Sequence, residues 1–117
     1  VRKFETGATR NSDTSKFDYE GFLSPAVLER FGAYMHKHRT QADGNFRDSD
    51  NWQKGMPKTQ YMKSLIRHTI DLWRAHRGYI VIDKDSGERV TKEELLCAII
   101  FNAQGYLFEM LRKRKRQ

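Results

Sequence analysis

Three stretches of this chain repeat apolar residues at helical spacing, and the segments between them do not. After Ser24-Pro25, the residues Val27, Leu28, Phe31, Met35 and His38 recur at the intervals of one helix face. Serine is a good N-cap, and proline at the first helical position gives up no needed hydrogen bond, so the pattern predicts a helix from there that stops near Arg39. Between Pro57 and Gly78 lies a broader stripe of Tyr61, Met62, Leu65, Ile66, Thr69, Leu72, Trp73 and His76. Gly78 is placed to end that helix in the left-handed conformation. The third stretch opens at Thr91-Lys92-Glu93-Glu94, a capping box in which the threonine caps and Glu94 returns the hydrogen bond. From Leu95 to Leu111 apolar side chains fall on nearly every side, which predicts the central helix of a bundle.

The intervening segments read differently. Gly7, Asn11, Ser12, Asp13 and Gly21 punctuate residues 1–23, with Phe4, Phe17, Tyr19, Phe22 and Leu23 scattered between them. The expectation is an extended arm that lays its aromatic residues on the body. Residues 79–90, YIVIDKDSGERV, place a β-branched run before Asp85-Ser86-Gly87 and predict a short hairpin. Asp83-Lys84-Asp85 lacks the spacing of a calcium loop and belongs to the turn. Residues 39–56, RTQADGNFRDSDNWQKGM, have no sustained period, and a loop of that length in a small domain is uncommon unless it is functional or disordered. Phe46 and Trp52 favour an ordered, functional loop. The expected fold is therefore all-α: a small helical bundle of three main helices, with an extended N-terminal arm (1–23) and a short β-hairpin between the second and third helices. The helical domain spans 24–111, and a basic C-terminal tail covers 112–117.

Composition narrows the function. A length of 117 residues suits one domain. A domain this small buries only about two thirds of its unfolded surface, so a homo-oligomer is a natural partner. No stretch approaches the roughly 20 consecutive apolar residues of a membrane span, and no apolar signal core follows the first residues, so no membrane partner is expected. Cys97 is the single cysteine, which rules out an intramolecular disulfide and an all-cysteine metal site. Its apolar neighbours make it a small buried hydrophobe and not a thiolate nucleophile. The expected location is the cytoplasm. Removing the five cations of 112–116 from the net charge of +7 leaves +2, so the basicity belongs to the tail. That tail reads either as a solvated helix end whose cations suit the C-terminal dipole, or as a phosphate-binding segment through which nucleic acid would be held.

Four constellations carry possible chemistry. Asp43, Asp48 and Asp50 offer hard oxygen ligands for Mg²⁺ or Mn²⁺, or make local turns. His68 and Asp71 share a helix face, either to hold a metal or move a proton, or as a surface hydrogen bond, with Arg74 on the next turn. Asn102 sits within the most apolar helix, where a buried amide must be satisfied in the core or point into a site. Glu94 has a capping role, which leaves Glu93 freer to act. Arg39, Arg47, Lys54, Arg67 and Arg74 supply cations for phosphate oxygens, and Trp52 either stacks on a base or anchors the loop. There is no P-loop and no nucleophile elbow. His36 and His38, two residues apart, are expected on different faces.

The segments FETGATR (4–10), KFDYEGFLSPAVLERF (16–31), YMHKHRTQADGNFRDSDNWQKGMPK (34–58), YMKSLIRHTIDLWRAHRG (61–78) and LCAIIFNAQGYLFEML (96–111) resemble a phage family classified as dATP/dGTP diphosphohydrolase N-terminal-like. The resemblance covers nearly the whole chain except the hairpin and the basic tail. DNWQKG, RH followed by LW and RG, and LCAIIFNAQGYL are its most specific parts. It implies a helical, metal-dependent enzyme of the host cytoplasm. That enzyme would cleave purine deoxynucleoside triphosphates to monophosphate and pyrophosphate and so reshape the nucleotide pool. It also implies roles for Asp50, Asn51, Trp52 and Lys54 from the loop, His68 and Asp71 from the second helix, and Asn102 from the third. The Glu-Glu-x-x-Glu motif of better-known all-α pyrophosphatases is absent, because Glu93-Glu94 is followed by Leu95, Leu96 and Cys97.

The expected site thus has Asp48 and Asp50, with His68 or Asp71, holding Mg²⁺ or Mn²⁺. Asp50, His68 and Asp71 would be catalytic. Arg39, Arg47, Asn51, Trp52, Lys54, Arg74 and Asn102 would bind the substrate. The rival expectation is a non-catalytic phage accessory protein that binds a host protein or nucleic acid, or a dNTP sensor.

Overall fold

A computed structural model describes residues 1–12 and 15–116, with side chains described as far as Arg112. The chain is mostly helical. Two short strands, β1 (Arg2–Lys3) and β2 (Thr9–Arg10), precede α1 (Tyr19–Phe22), α2 (Pro25–Lys37), α3 (Lys58–His76) and α4 (Lys92–Arg116). A single 3-10 turn, Asn51–Lys54, interrupts the long loop between α2 and α3.

The three expected helices are α2, α3 and α4, and their ends follow the local chemistry. Ser24 Oγ accepts from the Val27 N–H at 3.2 Å, with Pro25 as the first helical residue. The α4 capping box is closed from both sides. Glu94 N–H donates to Thr91 Oγ1 at 3.2 Å, and Thr91 N–H donates to Glu94 Oε1 at 3.3 Å. Gly78, at φ 94°, follows the end of α3 in the left-handed region that a side chain resists.

The core is one helix pair. α3 and α4 pack antiparallel along most of their length, as Lys58 meeting Tyr106 and Tyr61 meeting Gly105 and Phe101 require. Tyr61 and Leu95, each 2% exposed, are its largest buried side chains, with Cys97, Ala98 and Asn102 beside them. Gly105 is there because a Cβ at that position would overlap the Tyr61 ring. α2 joins this pair more narrowly, through α4. Arg30 Nε bonds Glu93 Oε1 at 2.8 Å, Lys37 Nζ bonds Glu94 Oε2 at 2.9 Å, and the Cys97 thiol lies 4.0 Å from the Arg30 carbonyl.

Four expectations need correcting. The arm is not simply extended, since β1 and β2 pair antiparallel around Gly7 and α1 adds one helical turn. Its aromatic residues do not cover the body. Phe17, Tyr19 and Phe22 are exposed, and Phe17 and Tyr19 pack edge to face on each other at 6.3 Å. The segment 79–90 closes with one bridge, Ile82 to Arg89, and not with two strands. Val90 N–H donates to the Val81 carbonyl at 2.9 Å and Asp83 N–H to the Glu88 carbonyl at 2.8 Å, the Asp83 carboxylate accepts from the Asp85 N–H at 2.8 Å, and Val81 is buried at the root of the turn. Finally, α4 from Lys92 to Arg112 is long and apolar enough, at mean hydropathy 1.2, to meet the length and composition of a membrane span. That is a matter of length and composition alone, which the core helix of a folded domain meets as well, and one face of α4 is packed on α3.

The basic tail falls largely on residues 113–117, whose side chains lie outside the described residues. The backbone of α4 runs through Arg116. Arg112 is a structural residue. Its Nη1 donates to the Gln53 carbonyl at 2.8 Å and its Nη2 to the Lys54 carbonyl at 3.4 Å, fastening the end of the 3-10 turn to α4.

Candidate functional site

The loop 39–56 is folded back against the helices by its own residues. Arg47 N–H donates to the Arg39 carbonyl at 2.8 Å, and Arg39 Nε donates to the Arg47 carbonyl at 2.9 Å. Within that clamp Gly44 turns the chain at φ 84°, and Asp43 binds Asn45 through backbone and side chain at 3.0 Å. Trp52 packs edge-on against Phe108 at 4.9 Å and Phe101 at 6.1 Å. Aromatic pairs in this geometry contribute about 0.5–1.5 kcal/mol beyond the area they bury. Trp52 is therefore the anchor of the loop, and Met56 N–H reinforces it by donating to Glu109 Oε2 at 3.4 Å.

Between this loop, the end of α2 and the α3–α4 pair lies a cavity of about 870 Å³. That size suits a small-molecule ligand. Most of the residues singled out from sequence line it. Arg39, Arg47, Asp48, Asn51, Trp52 and Lys54 come from the loop, His68 from α3 and Asn102 from α4. Arg39, Arg47 and Lys54 give the rim a cationic side. The Arg39 guanidinium also lies 4.9 Å over the Phe46 ring, which fixes its plane.

Two polar groups on the wall stand out. His68 Nδ1 is buried without a hydrogen-bond partner. Burial pulls the His68 imidazole below its ordinary value, Arg67 adds to that, and Asp71 opposes it. The ring is accordingly neutral at physiological pH and can either accept or donate one hydrogen bond. Asn102 is 6% exposed and spends its amide N–H on the Ala98 carbonyl at 2.8 Å, which leaves Oδ1 as an acceptor. Both open readings of Asn102 hold together, since the amide is satisfied by its own helix and lines the cavity.

Asp50, Asp71 and Arg74 are not among the lining residues. Asp50 precedes the 3-10 turn and makes no side-chain cap. Asp71 faces Arg74 at 4.0 Å, and the Arg74 guanidinium lies 5.7 Å over Tyr79, away from the cavity. Arg67 turns to Ser64 at 3.0 Å, and Asp43 closes its local turn. Glu93 and Glu94 pair with α2, so Glu93 is not the free acid its position suggested. Asp48, Asp50, His68 and Asp71 therefore do not form one ligand set. Among the described residues, no group of three or more His, Cys, Asp and Glu side chains could hold a metal ion. Of the four expected ligands, Asp48 and His68 share the wall, which fits a divalent ion only in the mode where substrate phosphates and waters supply most of the other ligands.

The structure adds residues the pattern did not reveal. Tyr34, Met35 and His36 line the cavity from α2, His38 from just beyond its end, Ser64 from α3 and Phe101 from α4. His36 and His38 share it, against expectation, because α2 ends at Lys37 and the chain turns there. His38 rests on Tyr34 at 4.3 Å, while His36 leans toward Phe46 at 6.0 Å. Burial lowers the His38 pKa, with Lys37 adding to the effect, and burial raises that of Tyr34. The signal that could have found this group was the run YMHKHR itself, which places aromatic, His and Arg residues just where a helix stops. No family model, curated protein or solved structure matches this chain.

Proposed function

We propose that this protein hydrolyses purine deoxynucleoside triphosphates, dATP or dGTP, to the monophosphate and pyrophosphate. The observation that carries the reading is the gathering of Arg39, Arg47 and Lys54 with Asp48, His68 and Asn102 on one 870 Å³ cavity. The family resemblance of the loop and of α3 and α4 gives that gathering its chemistry.

The cations meet the triphosphate. Arg39 is held at Nε by the Arg47 carbonyl, so its terminal nitrogens are left to fork onto phosphate oxygens. Such groups stabilise charge that grows on the leaving pyrophosphate without reorganising at the moment of reaction. Asn102 Oδ1 can accept from an exocyclic amine or a sugar hydroxyl, and the wall formed by Trp52 and Phe101 gives the base an apolar side. Neutral His68, on the cavity wall, would take a proton from a water that attacks the α-phosphorus. A divalent cation arriving with the triphosphate would neutralise its charge and polarise that water. Asp48 is the carboxylate on the wall that would help hold it.

The test is product release from each of the four dNTPs with Mg²⁺ and then Mn²⁺. Metal-dependent formation of monophosphate and pyrophosphate from dATP or dGTP is expected, reduced at least tenfold by Arg47→Ala and by His68→Ala. A folded sample that yields no product from any dNTP overturns the proposal. Saturable dNTP binding without turnover would replace it with a sensor.

A further inference from the structure

The loop 39–56 begins with a tight hairpin that sets two arginines against each other. Arg39 and Arg47 stand opposite across it, a register fixed by the Thr40–Phe46 bridge and by the Arg47 N–H on the Arg39 carbonyl at 2.8 Å. Gln41 N–H donates to the Asn45 carbonyl at 2.8 Å and closes the turn at Gly44. Like charges placed directly opposite on paired strands weaken the pairing. Nothing described neutralises them. Arg39 is half-buried, and its guanidinium meets the Arg47 carbonyl at 2.9 Å and the Phe46 ring at 4.9 Å, neither of which carries a charge. Among the described residues, the side chains of Arg47 and Lys54 have no hydrogen bond, ion pair or ring contact. All three cations line the cavity, and Asp48 is the carboxylate that lines it with them. Their field is felt there. Burial holds the His38 imidazole below its ordinary value, and Lys37 and Arg47 add to that.

We propose, on the reading of the cavity as a triphosphate site but independently of turnover, that the hairpin 39–47 and Lys54 form a clamp for a polyphosphate chain, which the cavity binds with no nucleoside attached. Three features favour that ligand. The first is the uncompensated charge. Cations that repel one another in the free protein are a cost to folding, and functional sites are where such costs are kept. A ligand that brings several negative charges removes the repulsion as it binds. The second is the donor set. Arg39 has its Nε engaged and its terminal nitrogens left over, Arg47 offers its whole guanidinium, and Lys54 adds a compact ammonium. Forks of this kind match phosphate oxygens, and the ammonium serves as a point charge. The third is anchoring. The hairpin is closed by its own backbone bonds, whereas Lys54 sits on the 3-10 turn that Arg112 holds by the Gln53 and Lys54 carbonyls and that Trp52 pins against Phe108. Cations on two separately fixed segments suit a chain of phosphates better than a single one, and little ordering remains to oppose binding.

The experiment is isothermal titration of the full chain with sodium tripolyphosphate at constant ionic strength, beside dATP, deoxyadenosine and sulfate. EDTA is present throughout, so that the protein's own cations do the binding. Tripolyphosphate should bind once per chain and compete with dATP, while deoxyadenosine and sulfate bind far more weakly. Arg47→Gln and Lys54→Gln should each weaken tripolyphosphate about tenfold or more, the worth of one hydrogen bond to a charged group. The ligand-free Arg47→Gln protein should unfold at a urea midpoint no lower than that of the native protein, because the side chain it loses makes no described contact. Absence of tripolyphosphate binding overturns the proposal, as does sulfate binding of equal strength. Affinity indifferent to both substitutions also overturns it and gives the anion to the cationic run 112–116. A lower urea midpoint in ligand-free Arg47→Gln overturns the role of Arg47, which would then belong to the fold. Turnover of dATP without tripolyphosphate binding overturns the clamp and leaves the proposed reaction standing. Tripolyphosphate binding without turnover supports the clamp and overturns the reaction.

Discussion

The two faces of α4 are almost equally apolar, yet only one of them is a core. The inner face carries Leu95, Cys97, Ala98 and Gly105, and the outer face carries Leu96, Ile100, Leu107 and Leu111. What separates them is size. Ala98 and Gly105 let α3 come close enough for Tyr61 to lie against the α4 backbone at 2% exposure. On the outer face the side chains are large and nothing described covers them, so Leu107 remains 54% exposed. Hydrophobicity marks a face as something to be buried, and complementary size decides what buries it. The contrast can be tested by substituting the same helix on its two sides.

The largest effect belongs to the inner face. Tyr61→Ala removes the ring around which α3 and α4 close and should cost about 3–5 kcal/mol, read from urea unfolding. Gly105→Ala tests the same contact from the other helix. Alanine favours helix over glycine by about 1 kcal/mol, but here its Cβ must displace a buried ring. Overpacking of that kind costs about 1–3 kcal/mol, so the net outcome is destabilisation. A rise in stability on Gly105→Ala would show that the helices separate easily and that size does not distinguish the two faces.

This contrast explains what the sequence made legible. The three main helices were readable because capping and periodicity act locally, at Ser24-Pro25 and at Thr91 with Glu94 above all. The cavity was half readable. Arg39, Arg47, Asp48, Asn51, Trp52, Lys54, His68 and Asn102 drew attention by residue type and by resemblance, and they line one space. Asp50 was grouped with them by residue type and resemblance, and Asp71 and Arg74 by helix spacing, which says which face a residue shares but not where that face points. The arm failed for another reason. Its aromatic residues suggested burial, but Gly7 turns the segment back on itself before it can cross the body. Arg112 was grouped with the basic tail because four more cations follow it, whereas its guanidinium reaches the Gln53 and Lys54 carbonyls at the 3-10 turn.

Arg112 offers the next test, because it ties the loop to the inner side of α4. Arg112→Ala removes its bonds to the Gln53 and Lys54 carbonyls and should cost about 1–2 kcal/mol. The loss should be concentrated in the loop, so hydrogen exchange should quicken at 51–56 before it does in α3. Uniform quickening would mean that the loop and the helix pair open as one unit.

Acid should then weaken the cavity side selectively. Burial lowers the pKa of His68 and His38 from the ordinary 6.5. Above pH 6.5 both rings are neutral whether the chain is folded or not. As pH falls below 6.5, the unfolded chain binds protons first, so stability declines until the folded values are passed. Glu94, lowered chiefly by its bond to Lys37, contributes stability above its ordinary 4.5 and loses it only at lower pH. The urea midpoint should therefore drop between pH 7.5 and 5.5 in the native protein and drop less in His68→Gln. An equal drop in both would assign the acid sensitivity elsewhere.

The smallest effect is expected on the outer face, and it completes the comparison. Leu107→Ser removes a large apolar side chain from the same helix that carries Leu95. In a dilute monomer the position is already more than half exposed, so the change should alter stability by no more than about 0.5 kcal/mol. Leu95→Ala, one face away, should cost about 2–5 kcal/mol. The difference should shrink as protein concentration rises if a second copy covers Leu107, because mass action then links the outer face to folding. Unfolding curves for both variants at 1 and 100 µM read this directly. If Leu107→Ser stays near neutral at both concentrations, the outer face does no folding work at all. If its cost grows with concentration while that of Leu95→Ala does not, both faces of α4 are core, one within the chain and one between chains.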